Sequence, residues 1–305
     1  MASSSWHGLL VIDKPGGLTS RDVVDRAGRW FPRGTRLGHT GTLDPLATGV
    51  LILCAGTATR LAEYVQRMRK TYRACFLLGA RSRTDDADGD VEVVAVDRPP
   101  DRTTVAGALA EFLGEIDQVP PAFSAAKVTG RRAYSAARRG EHVSLEPRRV
   151  RIDRIDLLAY DYPRLEVEVH CGKGTYIRSL ARDLGEHLGC GALVATLRRT
   201  RVGPFDAASA LGLEADAATA RASLLPLAAA VADLPRVVLE ANAINRLCHG
   251  QVLPLHDADR ASEPANRAEV AVFSPTGDLA AVALADHVAR LLRPLKVLLP
   301  EAPGA

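Results

Sequence analysis

Leu37-Gly38-His39-Thr40-Gly41-Thr42-Leu43-Asp44-Pro45-Leu46-Ala47-Thr48-Gly49 runs directly into the apolar segment Val50 to Cys54. The glycines permit tight or left-handed backbone, so another molecule can approach the main chain closely. Asp44 stands between Leu43 and Pro45, in surroundings that are partly apolar and locally stiff. A carboxylate there needs a solvation shell or a cationic partner. Taken alone, an Asp-Pro pair in a loop is most often a turn former. A second motif is needed to make it more than that.

That motif is Cys171-Gly172-Lys173-Gly174-Thr175-Tyr176-Ile177-Arg178-Ser179. A strand ending near Cys171 delivers Tyr176 and Arg178, which share a face if extended geometry persists. Arg178 can then orient Asp44 and keep it ionised. Tyr176 offers a ring face for a base and a phenol for proton transfer. Alone, an arginine at a strand end is more often a surface ion pair.

The flanking sequence alternates strands and helices. Gly8 to Ile12 reads as a strand broken by Asp13-Lys14-Pro15-Gly16-Gly17. Thr19 or Ser20 caps a helix expected through about Phe31, with Val23, Val24 and Ala27 on one face. The glycine- and threonine-rich segment from Gly38 to Gly49 reads as loop, and Val50 to Cys54 as strand. Lys70 to Leu78 reads as a strand with Val91 to Val96 as its partner, and Thr104 to Leu113 as a short helix. Strands are expected over Arg151 to Leu158, Leu165 to Cys171 and Ala192 to Val202, with a helix from Ile177 to Leu188 closed by Gly189. After Pro235 come short strand-like runs at Arg236 to Leu239, Val270 to Phe273, Ala280 to Leu284 and Leu295 to Leu299. The fold class is therefore α/β (α+β) with a mixed, largely antiparallel sheet, followed by a small β-rich domain.

A length of 305 residues fits one large domain and a smaller one. No apolar run approaches the ~20 residues that cross a bilayer, and the first residues lack the regions of a secretory signal. A cytoplasmic protein with no membrane partner is expected. The five cysteines are scattered, with no Cys-x-x-Cys pair, and no histidine pattern suggests a metal site. Charge is unevenly distributed. From Asp206 onward there are 8 basic and 12 acidic residues, leaving 31 basic and 24 acidic before it. Eight of those basic side chains lie between Asp117 and Arg151, and only five residues of the whole chain are lysine. Guanidinium pairs bidentately with phosphate and stacks on bases. The segment from Val119 to Glu146 lacks sustained periodicity, and an excursion of that length in a compact domain is commonly functional.

Gly41-Thr42-Leu43-Asp44-Pro45-Leu46-Ala47-Thr48-Gly49 resembles the catalytic-loop motif of bacterial tRNA pseudouridine-55 synthases, the TruB type. Gly8 to Ser20, Lys70-Thr71-Tyr72, Thr84 to Gly89, Pro120 to Val128, Gly130 to Tyr134, Gly174 to Ser179 and Leu197-Arg198-Arg199-Thr200 match in the same order. The matching text departs from the common pattern at Phe123 and Ala126. The resemblance covers roughly residues 8 to 205 and thins beyond about 230.

It implies a pseudouridine synthase catalytic domain over 8–230, with an RNA-gripping insertion at about 119–151, and a small PUA-like domain over 235–300. By resemblance, Asp44 is the catalytic carboxylate and Arg178 its ion-pair partner, while Tyr72 stacks on the target base. Tyr176 lines the same pocket near the sugar, Leu197 completes the base pocket, His39 fills the space left by the flipped nucleotide, and Lys14 supports the fold near the loop. Lys127, Arg131 and Arg132 of the insertion would contact the T-arm of tRNA. The isomerisation involves no net redox change, so no cofactor is implied. Because the target is stacked, its nucleotide must be extruded at a cost of a few kcal/mol, and stacking on Tyr72 returns roughly 1–3 kcal/mol. A monomer acting without guide RNA is expected. A guide-dependent pseudouridylase subunit and a non-catalytic tRNA-binding chaperone are the competing readings.

Overall fold

The computed structural model describes residues 6–124, 127–128, 131–132, 145–255 and 267–298, with the side chains of 127–128 and 131–132 outside that description. Strand β1 (Gly8–Lys14) is buried along most of its length, as its continuous Leu-Leu-Val-Ile run requires. Helix α1 (Ser20–Ala27) follows. Its cap is a reciprocal pair: the Thr19 hydroxyl accepts from the Asp22 amide, and the Asp22 carboxylate accepts from the Thr19 amide. The helix stops short of Phe31, passing through a 3₁₀ turn at Gly28–Trp30. Phe31 precedes Pro32 and is extended (φ −117°, ψ 155°), as proline demands of its predecessor.

Strand β2 (Leu37–His39) pairs antiparallel with β3 (Thr48–Ala55), so the segment expected to be loop from Gly38 to Gly49 is partly sheet at both ends. Helix α2 (Ala62–Arg67), strand β4 (Lys70–Leu78), strand β5 (Ala80–Ser82), strand β6 (Val91–Val93), helix α3 (Arg102–Ala110) and strand β7 (Gly114–Gln118) come next. The expected pairing of Val91 to Val96 with Lys70 to Leu78 is corrected: β6 pairs with β5 in a separate ribbon. Both edges of β4 are taken by strands from later in the chain, and Val93 is 88% exposed. Strands β8 (Lys127–Val128) and β9 (Arg131–Arg132) pair with each other.

Strand β10 (Arg148–Asp161), strand β11 (Arg164–Cys171), helix α4 (Ile177–His187), strand β12 (Ala192–Val202) and strand β13 (Phe205–Asp206) complete the main body. Its nine-stranded sheet runs β1-β3-β12-β4-β11-β10-β7, with β2 and β13 attached at β3 and β12. Within it only the β3–β12 pairing is parallel, so the sheet is mixed and largely antiparallel. That pairing places Gly49 against Arg199. Gly49 has φ +98°, and a Cβ there would lie 2.2 Å from the Arg199 carbonyl oxygen. Only glycine lets β3 leave the loop this close to β12.

One face of the sheet packs Tyr72, Ala74, Phe76, Val194 and Leu197 against α1 and α4. Under β1 and β3, the other face packs Leu9, Val11, Val50 and Ile52 against Tyr64, Val65 and Met68. This second cluster continues into the C-terminal part through Ala271, Phe273 and Val282.

After helix α5 (Ala217–Ala222) come strand β14 (Arg236–Val238), helix α6 (Ala241–Cys248), strand β15 (Leu253–Pro254), strand β16 (Arg267–Phe273), strand β17 (Leu279–Asp286) and strand β18 (Leu291–Val297). These strands form a separate five-stranded sheet, β14-β16-β17-β18-β15. Arg67 pairs with Glu269, and Lys296 with Glu63 at 2.9 Å, across the junction. No helix among the described residues is long and apolar enough to cross a membrane.

Candidate active site

Residues 134 positions apart meet at the centre of the main sheet. Arg178 Nη2 donates to Asp44 Oδ1 at 3.0 Å, and Nε lies 2.9 Å from Oδ2, giving a forked ion pair. The same guanidinium donates to the carbonyls of Thr84 (2.7 Å) and Phe123 (3.0 Å) and lies 3.4 Å from Asp86 Oδ2. Arg178 and Asp86 are each 4% exposed, whereas the Asp44 side chain retains 31% of its surface, open to the cavity beside it. Burial pushes the Asp44 carboxyl above the ordinary carboxylate range; Arg178 opposes that rise and Asp86 adds to it.

The placement of Arg178 differs from the expected extended path. Strand β11 ends at Cys171, and the Gly172–Thr175 segment turns, with Gly174 at φ +90° and Thr175 Oγ1 donating to the Gly172 carbonyl. Tyr176 is the extended residue before α4, and Arg178 belongs to the helix. The two side chains therefore reach one cavity from a helix start, not from alternate positions of a strand. Gln118, 1% exposed, fixes this junction: its Oε1 accepts from the Tyr176 amide at 2.8 Å and its Nε2 donates to the Tyr176 carbonyl at 3.0 Å.

The cavity has a volume of about 260 Å³ and is lined by Asp44, Tyr72, Tyr176, Arg178 and Leu197, among others. Tyr72, on β4, is 8% exposed, and burial raises its phenol pKa while Arg199 beside it opposes the rise. Arg199 donates from Nε to the Val50 carbonyl at 2.7 Å and from Nη2 to the Gly41 carbonyl at 3.3 Å, linking the loop to β3. On the far side of the Asp44–Arg178 pair, a second cavity of about 520 Å³ is lined by His39, Pro45, Thr84, Asp86 and Phe123. Lys14 lies outside both cavities. Its Nζ donates to the carbonyls of Pro15 (3.0 Å), Leu18 (2.7 Å) and Pro45 (3.2 Å). It thereby ties the β1–α1 turn to the residue after Asp44.

The structure thus brings Asp44, Arg178, Tyr72, Tyr176 and Leu197 together, with His39 behind the ion pair and Lys14 beneath the loop. The side chains of Lys127, Arg131 and Arg132 lie outside the described residues. Asp86, Gln118 and Arg199 are site residues that sequence reasoning missed. For Arg199 a signal existed: it is two residues from Leu197 on one strand and so shares its face, while Arg198 points away and pairs with Asp13 at 2.8 Å.

Sequence spacing shows no metal-ligand pattern, but β10 and β11 bring Asp156, Glu168 and His170 together. Both carboxylates there already hold guanidinium groups, Arg154 on Asp156 and Arg73 on Glu168.

Solved structures share this architecture over nearly the whole chain. A structure titled "Crystal Structure of a Cbf5-Nop10-Gar1 Complex" matches with a TM-score of 0.75 and 26% identity, covering 97% of this chain and 86% of the other. A structure of an H/ACA RNP bound to a substrate RNA containing 2'-deoxyuridine matches with a TM-score of 0.72 and 25% identity, covering 96% and 86%. The shared fold defines the class, that of the pseudouridine synthases, and on its sheet the Asp44–Arg178 pair faces an aromatic-lined cavity.

The particular family follows from sequence. Residues 29–177 match "TruB family pseudouridylate synthase (N terminal domain)" and residues 178–237 match "tRNA pseudouridylate synthase B C-terminal domain". The chain is 44% identical over 293 residues to tRNA pseudouridine synthase B of Xanthomonas axonopodis pv. citri, covering 93% of this chain and 92% of that protein. It is 43% identical over 291 residues to the protein of the same name from Burkholderia mallei, covering 94% and 96%. The chain belongs to the TruB family of pseudouridylate synthases and is an isomerase. The border between the two matched segments falls inside α4, within the main body.

Proposed function

We propose that this chain isomerises the uridine at position 55 in the T-loop of tRNA, acting alone on tRNA as a cytoplasmic monomer, with Asp44 as nucleophile. The observation that carries this reading is the forked Asp44–Arg178 pair, whose carboxylate stays open to the cavity lined by Tyr72, Tyr176 and Leu197. Arg178 holds the carboxylate in one orientation and favours its ionised form. Tyr72 and Tyr176 receive the extruded base, Tyr72 by stacking, and Leu197 closes the pocket. His39, on the other side of the ion pair, fills the gap left in the RNA.

In the reaction the N1–C1′ bond breaks, the base turns and a C5–C1′ bond forms. The C5 proton is lost and N1 gains one, so composition and oxidation state are unchanged. Lys127, Arg131 and Arg132 contact T-arm phosphates, which position the RNA without reading its sequence. Residues 235–300 act as a PUA-like accessory domain to the catalytic domain at 8–230.

Action without guide RNA is supported by the relatives named tRNA pseudouridine synthase B, at 43–44% identity, against 25–26% for the ribonucleoprotein structures. The test is to incubate the purified chain with an unmodified T-arm transcript and no other macromolecule, then map pseudouridine. Product at the T-loop uridine is expected. Product only after guide RNA or partner proteins are added would overturn the stand-alone reading, and tight binding with no product would favour a chaperone.

A further inference from the structure

The cations around the cavity are unequal. Lys14 is committed to three carbonyls. Lys70 donates to the Gln66 and Met68 carbonyls. Arg178 is divided among Asp44, Thr84, Phe123 and Asp86, and Arg199 between Val50 and Gly41. Lys14 and Arg178 have their donors taken up by protein acceptors, and Lys70 and Arg199 are each held by two backbone carbonyls.

Lys173 differs. It lines the same cavity as Asp44, its side chain is exposed, and among the described residues it makes no hydrogen bond or ion pair. Its charge repels that of Lys70. The turn that carries it is nevertheless fixed. The Gly172 amide donates to the Arg151 carbonyl at 2.8 Å, and Thr175 Oγ1 donates to the Gly172 carbonyl at 3.2 Å. Glycines flank it, and at Gly174 (φ +90°) the nearest atom to an added Cβ would be Val150 Cγ1 at 4.0 Å. A turn held by these bonds thus presents at the cavity wall an ammonium that is uncommitted among the described residues.

We propose that Lys173 is the phosphate-binding residue of this pocket, its ammonium taking a non-bridging oxygen of a phosphodiester flanking the nucleotide seated against Asp44. The assignment rests on the function proposed above. It gives the pocket a way to hold the extruded nucleotide by its backbone, independent of base identity. An ammonium acts here as a point charge and needs no bidentate geometry.

The test measures binding, so it can be read apart from catalysis. A T-arm transcript is titrated into wild type and Lys173→Gln at several salt concentrations, and again with a neutral methylphosphonate replacing the phosphate on either side of the target uridine. Lys173→Gln should weaken binding roughly 10-fold and reduce the slope of log K against log salt by about 0.7–0.9. One of the two methylphosphonates should weaken wild-type binding similarly and leave Lys173→Gln with no further loss. Additive losses at both positions, or an unchanged salt slope, would overturn the assignment. Absence of pseudouridine from wild type, with the Lys173 coupling present, would instead overturn the catalytic reading.

Discussion

Replacing Lys14 with methionine separates holding the fold from holding the loop that carries Asp44. Lys14 has no exposed surface and donates to three carbonyls, those of Pro15, Leu18 and Pro45. A hydrogen bond from a charged donor contributes ~1.5 kcal/mol at the low end, so the three supply ~4–5 kcal/mol. Against this, burial lowers the ammonium pKa from 10.5 to about 8, which is ~3 kcal/mol against the charged form. Methionine removes both terms at nearly the same length, and the net loss of stability should be only ~1–2 kcal/mol.

The Pro45 bond matters differently, because it fixes the residue next to Asp44 across a separation of 31 residues. Displacement of a catalytic group by ~1 Å can cost about 100-fold in rate. The Gly17 amide still donates to the Pro45 carbonyl at 2.8 Å, so the expected loss of kcat is roughly 10- to 100-fold. Urea unfolding and steady-state kinetics on a T-arm transcript measure the two effects. A variant that fails to fold, or one whose kcat stays within about twofold of wild type, would show that Lys14 does not hold the loop in this way.

Arg178→Lys replaces a fork that serves Asp44 and two carbonyls with a single point of charge, and single-turnover rate should fall by ~100-fold or more. As the proposed nucleophile Asp44 must be ionised, so wild-type activity should be lost as pH falls through its raised pKa. In Arg178→Lys the opposing charge is less well placed, and this acid limb should move to higher pH; a limb that stays put or moves down contradicts the assignment. For stability the sign is reversed. A folded pKa raised above the unfolded value favours the fold at low pH, and that contribution is lost as pH rises through it. Asp44→Asn should therefore be no less stable than wild type near neutrality, as read by urea unfolding. Gly49→Ala puts a Cβ 2.2 Å from the Arg199 carbonyl oxygen at φ +98°, and should cost more than ~3 kcal/mol by the same measurement.

Local chemistry makes much of this structure legible. The α1 cap follows from Thr19 and Asp22, β11 and α4 follow from runs whose period matches their burial, and β4 and β12 follow from largely apolar runs. Segments whose partners are distant in sequence are not legible. Gly114 to Gln118 carries little apolar pattern, yet it becomes β7 because β10 offers a free edge. Val91 to Val93 looks apolar enough for the main sheet but finds β4 already paired on both sides. Helix α6 escapes reading because its buried residues are only Ile244 and Leu247.

In the site, Asp44 and Arg178 can be named because each lies in a distinctive motif. The geometry that joins them cannot, since the turn at Gly174 and the helix start at Ile177 replace the expected extended path. Asp86 and Gln118 gain their roles only through burial against Arg178 and Tyr176, which a single sequence does not display.

The proposed role of Asp44 is tested by comparing wild type with Asp44→Asn on an unmodified T-arm transcript. Pseudouridine at the T-loop uridine is scored after many turnovers, alongside binding of the same RNA. Product is expected from wild type alone, with both proteins folded and both binding the transcript. Equal product from the two would remove Asp44 from that role.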